Sequence, residues 1–372
     1  MHKLLQFKEI LGNLPNERID KENRPLVGWT CSYLPLEILE AAGLQPYRIL
    51  PRPCSETADS YLDPNFCPFI RATLGSAMDG EYSFLSGMVL LNTCDGMRRL
   101  YDAWRYYCPA IPAFFLDVPR VITPFSLAYF REELNRLARQ IEKEFRVILS
   151  ADALTRAIGE ANRSRALLKK LISLRGRGDP PLNYGDIMDI LAEGWKNPRE
   201  SFNEALQRLT GHLEGELPQD SRKLKVMVTG SLQEGCALIR LLEELGAEVV
   251  GSDLCTGERF VHEVDSSADL WWSLGEAYMN KTPCARMYDT ERRAAHIEEE
   301  VRRSGAHGLL YISLKFCDPY LYEGPTIRRT LGQMGIPTLF LEGEYTGRVG
   351  GAVRTRVQAF LEMLERHAIQ RR

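Results

Sequence analysis

The chain has 372 residues, 44% hydrophobic and 26% charged, which suits two or three domains that each bury a core. Its 47 Lys and Arg against 50 Asp and Glu leave a net charge of −3, without the basic excess of a nucleic-acid-binding surface or the like-charge blocks of a disordered tail. The longest apolar runs, such as 87–91 and 308–312, are strand-length, so no membrane span is expected, and the N-terminus lacks the apolar core and cleavage site of a signal peptide, so a cytoplasmic protein is expected.

In chain order, short apolar runs at 26–30, 47–50, 87–92 and 111–116 predict strands, with helices between them at 35–42, 68–78 and 96–107. That alternation predicts βαβ units and a parallel sheet. Residues 125–217 hold no strand-like run. Apolar residues recur there at helical spacing through Leu127, Phe130, Leu134, Leu137 and Ile141, and again through Leu154, Ile158 and Ala161, with further helices at 186–193 and 201–213. The alternation then restarts. Strands are expected at 225–229, 248–251, 308–314 and 337–341, and helices at 233–245, 291–304, 324–334 and 355–366. The fold class is therefore α/β, with two Rossmann-like parallel-sheet domains and a helical connector. The boundaries are 1–124 for the first domain, 125–217 for the connector and 218–372 for the second domain.

Nine cysteines in a large chain without an export signal do not predict a disulfide framework. Cys31, Cys94, Cys255 and Cys317 each stand just past the carboxyl end of an expected strand, the edge of an open α/β sheet where ligands bind. Cys67 and Cys284 lie beside prolines at loop-to-helix junctions. Cys236 falls inside the expected helix 233–245, and Cys108 follows an aromatic helix end. A single such thiol reads most simply as a small buried hydrophobe. A whole set at strand ends in both halves reads better as ligands. No CxxC pair announces zinc or a ferredoxin site, and the six histidines form no HxxxH pair. What remains is a site assembled from distant loops across a domain interface, where thiolates favour an iron–sulfur cluster. An iron left open to substrate suits three cysteines per cubane.

Several stretches carry a resemblance. They are Gly28-Trp29-Thr30-Cys31-Ser32-Tyr33-Leu34-Pro35 followed by Glu37-Ile38, Cys67-Pro68-Phe69-Ile70-Arg71, Thr93-Cys94-Asp95-Gly96-Met97-Arg98-Arg99-Leu100-Tyr101-Asp102, Asp253-Leu254-Cys255-Thr256-Gly257, and Lys315-Phe316-Cys317-Asp318-Pro319. In this order, over nearly the whole length, the chain resembles the 2-hydroxyacyl-CoA dehydratase and benzoyl-CoA reductase family, in which the 2-hydroxyglutaryl-CoA dehydratase D-component falls. The resemblance implies an anaerobic enzyme in which Cys67, Cys94 and Cys317 hold a [4Fe-4S] cubane between the two α/β domains. It also implies a homodimeric activator ATPase of actin-like fold as electron donor, which agrees with the absence of any GxxxxGK[ST] motif here.

Two branches stay open. In one, a homodimer carries a double-cubane [8Fe-9S] cluster and reduces small molecules, and Cys31, Cys255 and Cys284 stand ready for the second cubane, with Cys54 as a spare. In the other, one [4Fe-4S] cluster serves radical dehydration of a 2-hydroxyacyl-CoA, in a heterodimer with a related subunit. The surplus of placed cysteines favours the first. A non-enzymatic cluster carrier is a third reading. No catalytic residue is assigned: Lys315, Glu323, Glu342 and Glu344 lie near the Cys317 strand end without one standing out. The segment 229–235 reads as a tight strand-to-helix turn rather than a phosphate cradle. Trp271-Trp272 reads as packing rather than a lid, and the aromatic group Tyr101, Trp104, Tyr106 and Tyr107 as core or partner interface.

Overall fold

The computed structural model describes residues 2–12, 24–52, 56–179, 181–217, 223–232, 236–267 and 269–370. The strands β1 (Leu26–Trp29), β2 (Gln45–Arg48), β3 (Gly87–Leu91) and β4 (Ala113–Leu116) form one sheet in the order β2-β1-β3-β4. The strands β5 (Lys225–Gly230), β6 (Glu248–Asp253), β7 (Gly308–Leu314) and β8 (Thr338–Gly343) form a second, ordered β6-β5-β7-β8. Every neighbouring pair is parallel. β1, β3 and β7 are buried along their whole length, as strands covered by helices on both faces must be, and this is why they read as unbroken apolar runs. The expected α/β class with two Rossmann-like sheets holds. Both sheets share one strand order, so each has its topological switch point between its first and third strands. The ligand crevice of such a sheet lies at the carboxyl ends of those strands.

Thirteen helices among the described residues surround the sheets: α1 (His2–Gly12), α2 (Leu36–Ala41), α3 (Pro68–Met78), α4 (Asp95–Tyr107), α5 (Pro124–Phe145), α6 (Ala151–Ser173), α7 (Tyr184–Gly194), α8 (Arg199–Glu214), α9 (Ala237–Glu244), α10 (Leu270–Asn280), α11 (Thr290–Ser304), α12 (Asp318–Gln333) and α13 (Gly351–Gln370). None is long and apolar enough to cross a membrane. Four differ most from expectation, the first being α1, which answers to no expected element. α12 starts six residues before Gly324, immediately after Cys317, with a proline in its first turn and Pro325 on an exposed face inside it. Cys236 is not inside a helix but at the N-cap of α9; residues 233–235 lie outside the described residues, as does Cys54. α10 answers to no expected element. Its Trp271 packs against the core of the first sheet, as read, while Leu274, Tyr278 and Met279 sit within it.

The chain interleaves its cores. Val264, Leu274, Tyr278 and Met287 pack with Val27, Trp29 and Phe130 around the first sheet, while Phe7, Leu168, Leu206 and Leu209 pack with Val226 and Val228 under the second. A polar knot pins the two cores together. Arg165 Nη2 donates to Glu37 Oε1 at 2.6 Å and Tyr278 Oη to Glu37 Oε2 at 2.7 Å, joining α6, α2 and α10. Arg199 adds a bond to Glu40 from α8. Burial would raise the Glu37 carboxyl, but Arg165 and Arg199 outweigh it and hold it below the usual range.

Gly230 ends β5 at φ 142°, where a Cβ would stand 1.9 Å from the Ile312 carbonyl oxygen of β7. That neighbour is backbone and cannot swing aside. Gly230→Ala is therefore expected to cost about 1–3 kcal/mol in urea unfolding. The same substitution at Gly43, where nothing lies within 4 Å, should cost only the strain of its positive φ.

Candidate metal centre

Three of the sequence-selected cysteines occupy helix N-caps. Cys67 precedes α3, Cys94 precedes α4 and Cys317 precedes α12. Each helix directs its unpaired N–H groups and the positive end of its dipole towards its cysteine, an arrangement that favours thiolate. Cys94 Sγ accepts from the Met97 N–H at 3.4 Å. Phe316 holds φ at 55°, a conformation unusual for a bulky residue, and so turns the chain sharply from β7 into Cys317 and α12.

Cys31, Cys255 and Cys284 lie on turns and loops rather than at helix caps. Cys31 follows β1, Cys255 follows β6, and Cys284 sits between α10 and α11. The fold brings all six thiols to one cavity of about 550 Å³ at the carboxyl ends of both sheets. Thr30, Thr93, Ser231, Arg259, Arg286 and Tyr320 also line it. The eight described cysteines are all free, and Cys108 and Cys236 do not face this cavity. Cys108 is buried below α4, and Cys236 donates its S–H to Asp189 Oδ1 at 3.1 Å.

Protonation follows these surroundings. The Cys67 and Cys317 thiols share a hydrogen bond, so the first of their protons leaves easily and the second with difficulty. That bond, helped by the Phe69 and Ile70 N–H groups, lowers Cys67 and holds Cys317 well above the ordinary thiol range. Burial pushes the Cys94 thiol up to about 12. Burial opposes ionisation of Cys284 too, but Arg259, the Arg286 N–H and the Tyr320 hydroxyl prevail and lower it. The thiols surround a space rather than a point. Among the described residues, no three Cys, His, Asp or Glu side chains converge closely enough to hold a single metal ion.

The sequence reading missed the cations behind the second set of thiols. Arg48 Nη1 donates to the Cys255 carbonyl at 2.9 Å, and its Nη2 lies 3.8 Å from Cys255 Sγ. Its guanidinium stacks over Trp195 at 4.3 Å and Trp29 at 4.6 Å. Lys281 donates to the Ser32 carbonyl and lies 4.4 Å from the Tyr33 ring centre. Burial pushes Lys281 down to about 7, against the pull of the Cys31 thiol. Arg286 donates to the Asn92, Val118 and Pro119 carbonyls. Arg259 donates to the Tyr320 hydroxyl at 2.6 Å and to Asp253 at 3.0 Å. The available signal was a charged residue inside an apolar strand, as in Tyr47-Arg48-Ile49.

The unassigned acids prove committed elsewhere or exposed. Glu323 accepts from Arg293 and Tyr311, Lys315 pairs with Glu344 at 2.5 Å, and Glu342 is exposed. Among the aromatics, Trp104 is fully buried, while Tyr106 is 78% exposed.

A family profile described as 2-hydroxyglutaryl-CoA dehydratase, D-component, matches residues 31–364. YjiM of Escherichia coli (strain K12), whose name gives it provisionally as a dehydratase subunit, is 28% identical over 91% of each chain. The (R)-phenyllactyl-CoA dehydratase beta subunit of Clostridium sporogenes is 23% identical over 96% of this chain and 97% of its own. A benzoyl-CoA reductase subunit of Thauera aromatica is 25% identical over 91% of this chain and 89% of its own.

Proposed function

Because the chain belongs to the 2-hydroxyglutaryl-CoA dehydratase D-component family, and its relatives are named as dehydratase and reductase subunits, we propose that it is the iron–sulfur component of a two-component reductase. In this reading a separate ATPase supplies low-potential electrons, and small molecules are reduced at a double-cubane [8Fe-9S] cluster held by Cys31, Cys67, Cys94, Cys255, Cys284 and Cys317. The observation that carries it is the single cavity onto which those six thiols face.

Two further features support a large anionic group there. A polynuclear cluster attaches its thiolates to different irons, so ligands spread around a cavity suit it better than ligands converging on a point. Thr30 Oγ1, Arg259 Nε and Arg286 Nε are buried without a hydrogen-bond partner, in residues that line the cavity. When bound, the cluster would supply one-electron transfer at a potential that needs the partner's ATP hydrolysis. The chain's own part is to present thiolates, exclude water and balance charge. In this reading it pairs with itself.

The test is iron and acid-labile sulfide per chain in protein purified without oxygen, with Cys255→Ala alongside. About eight irons, falling towards four in the variant, are expected. About four irons, unchanged in the variant, would sink the double cubane. That outcome belongs to the second reading, which the CoA-dehydratase names of the relatives favour: a 2-hydroxyacyl-CoA dehydratase subunit with one [4Fe-4S] cluster on Cys67, Cys94 and Cys317.

A further inference from the structure

The two sets of thiols are stabilised by different means, and the cavity is polarised as a result. Cys67, Cys94 and Cys317 rely on helix N-termini. Beside them the lining residues Asp63, Asn65, Asp95, Phe316 and Asp318 are exposed, so this end is the mouth, and it carries three carboxylates. Around Cys31, Cys255 and Cys284 the neighbours Thr30, Ser32, Thr256, Arg259 and Arg286 are buried, so this end is the floor.

Arg48 and Lys281 stand behind the floor and Arg286 lines it, each 4% exposed. Their hydrogen bonds go to carbonyls and sulfur, and none of the three has a carboxylate partner among the described residues. Arg259 adds a fourth cation, shared with Asp253. Buried cations without counter-ions are costly, and among the described residues the anionic function that Arg48, Lys281 and Arg286 face is the thiolates and whatever they hold. Fixed positive charge at low dielectric stabilises the more negative of two redox states, and carboxylates near the mouth do the reverse.

We propose that this collar of cations makes the floor the place where the incoming electron comes to rest. One electron leaves an external low-potential iron–sulfur donor and one is received at the group held by Cys31, Cys255 and Cys284, with no bond broken and no proton moved. The proposal rests on the six-thiolate reading above. Arg48 is its sharpest element, because a guanidinium keeps its charge at any working pH and this one lies against Cys255. It acts as a positioning residue for charge and touches no substrate.

Potentiometric titration of the anaerobic, reconstituted full chain, followed by electron paramagnetic resonance, tests it beside an iron count. In Arg48→Gln the first one-electron midpoint is expected to move to more negative potential at unchanged iron content. Arg48→Lys, which keeps the charge, should hold the midpoint near that of the unsubstituted chain. A midpoint that stays put in Arg48→Gln at full iron content overturns the inference and leaves the six-thiolate reading standing. About four irons in the unsubstituted chain overturn that reading instead. If Arg48→Gln does not retain its iron, Arg286→Gln is scored by the same two outcomes.

Discussion

In the iron–sulfur reading proposed above, substituting Cys317 by alanine is expected to abolish electron uptake from a low-potential donor and to remove at least half of the iron. Cys317 caps a sixteen-residue helix, and the left-handed turn at Phe316 fixes its direction into the cavity mouth. Alanine keeps the backbone and removes a half-buried sulfur whose hydrogen bond is to the Cys67 thiol, so fold stability should change by about 1 kcal/mol or less. Loss of iron with an unaltered circular dichroism spectrum is therefore the expected pair of results. Cys236→Ala is the matched control. Its thiol bonds Asp189 and faces away from the cavity, so iron content and electron uptake should both be retained. Both cluster readings require Cys317, so full iron and full uptake in Cys317→Ala would remove their common ground. Cys255→Ala separates the two readings from each other.

Asp253→Ala is expected to destabilise the iron-free chain by about 3–5 kcal/mol, because it leaves the buried Arg259 without a carboxylate partner and Arg293 with only one of its two. The Asp253 carboxylate accepts from Arg259 at 3.0 Å, from Arg293 at 2.7 Å and from Thr229 at 2.7 Å. Both arginines are buried. Without Asp253, Arg293 keeps Glu323 and Arg259 keeps the Tyr320 hydroxyl. Urea unfolding measures the loss. A value below about 1 kcal/mol, the range of an exposed pair, would show that the arginines find other partners. Asp253→Asn retains shape and an acceptor without the charge, and should fall between the two.

The same network sets a pH dependence. Burial would raise the Asp253 carboxyl, but Arg293 and Arg259 outweigh it and hold it below its ordinary value. A carboxyl lowered by folding contributes stability that is complete above the unfolded-state value of about 3.9 and is lost as pH falls through the folded value. The difference in stability between the unsubstituted chain and Asp253→Ala should therefore shrink as pH drops below about 4.

Much of this fold was legible in the sequence for a simple reason. Strands covered on both faces are continuous apolar runs, and β7 was read with its full extent, Gly308–Leu314. Cysteines placed just past such runs pointed to the ligand-binding edge before any geometry was known. Other elements were hidden by their composition. α10 reads Leu-Trp-Trp-Ser-Leu-Gly-Glu-Ala-Tyr-Met-Asn, too evenly apolar to show a helical stripe, because it is packed into the core of the first sheet against α5 and α6. The start of α12 was obscured by Pro319 and Pro325, although a proline in the first turn is compatible with a helix.

By itself the sequence determined the α/β alternation, the absence of membrane-length apolar runs, and a set of thiols at strand ends. Only the tertiary structure decided that Cys31, Cys67, Cys94, Cys255, Cys284 and Cys317 share one cavity, and that Arg48 and Lys281 stand behind three of them with Arg286 alongside. The physical reason is that local propensity and periodicity act over a turn or a strand. The meeting of residue 31 with residue 284 depends instead on how two sheets are docked by α6, α8 and α10, through contacts such as Arg165–Glu37–Tyr278 that no local pattern records.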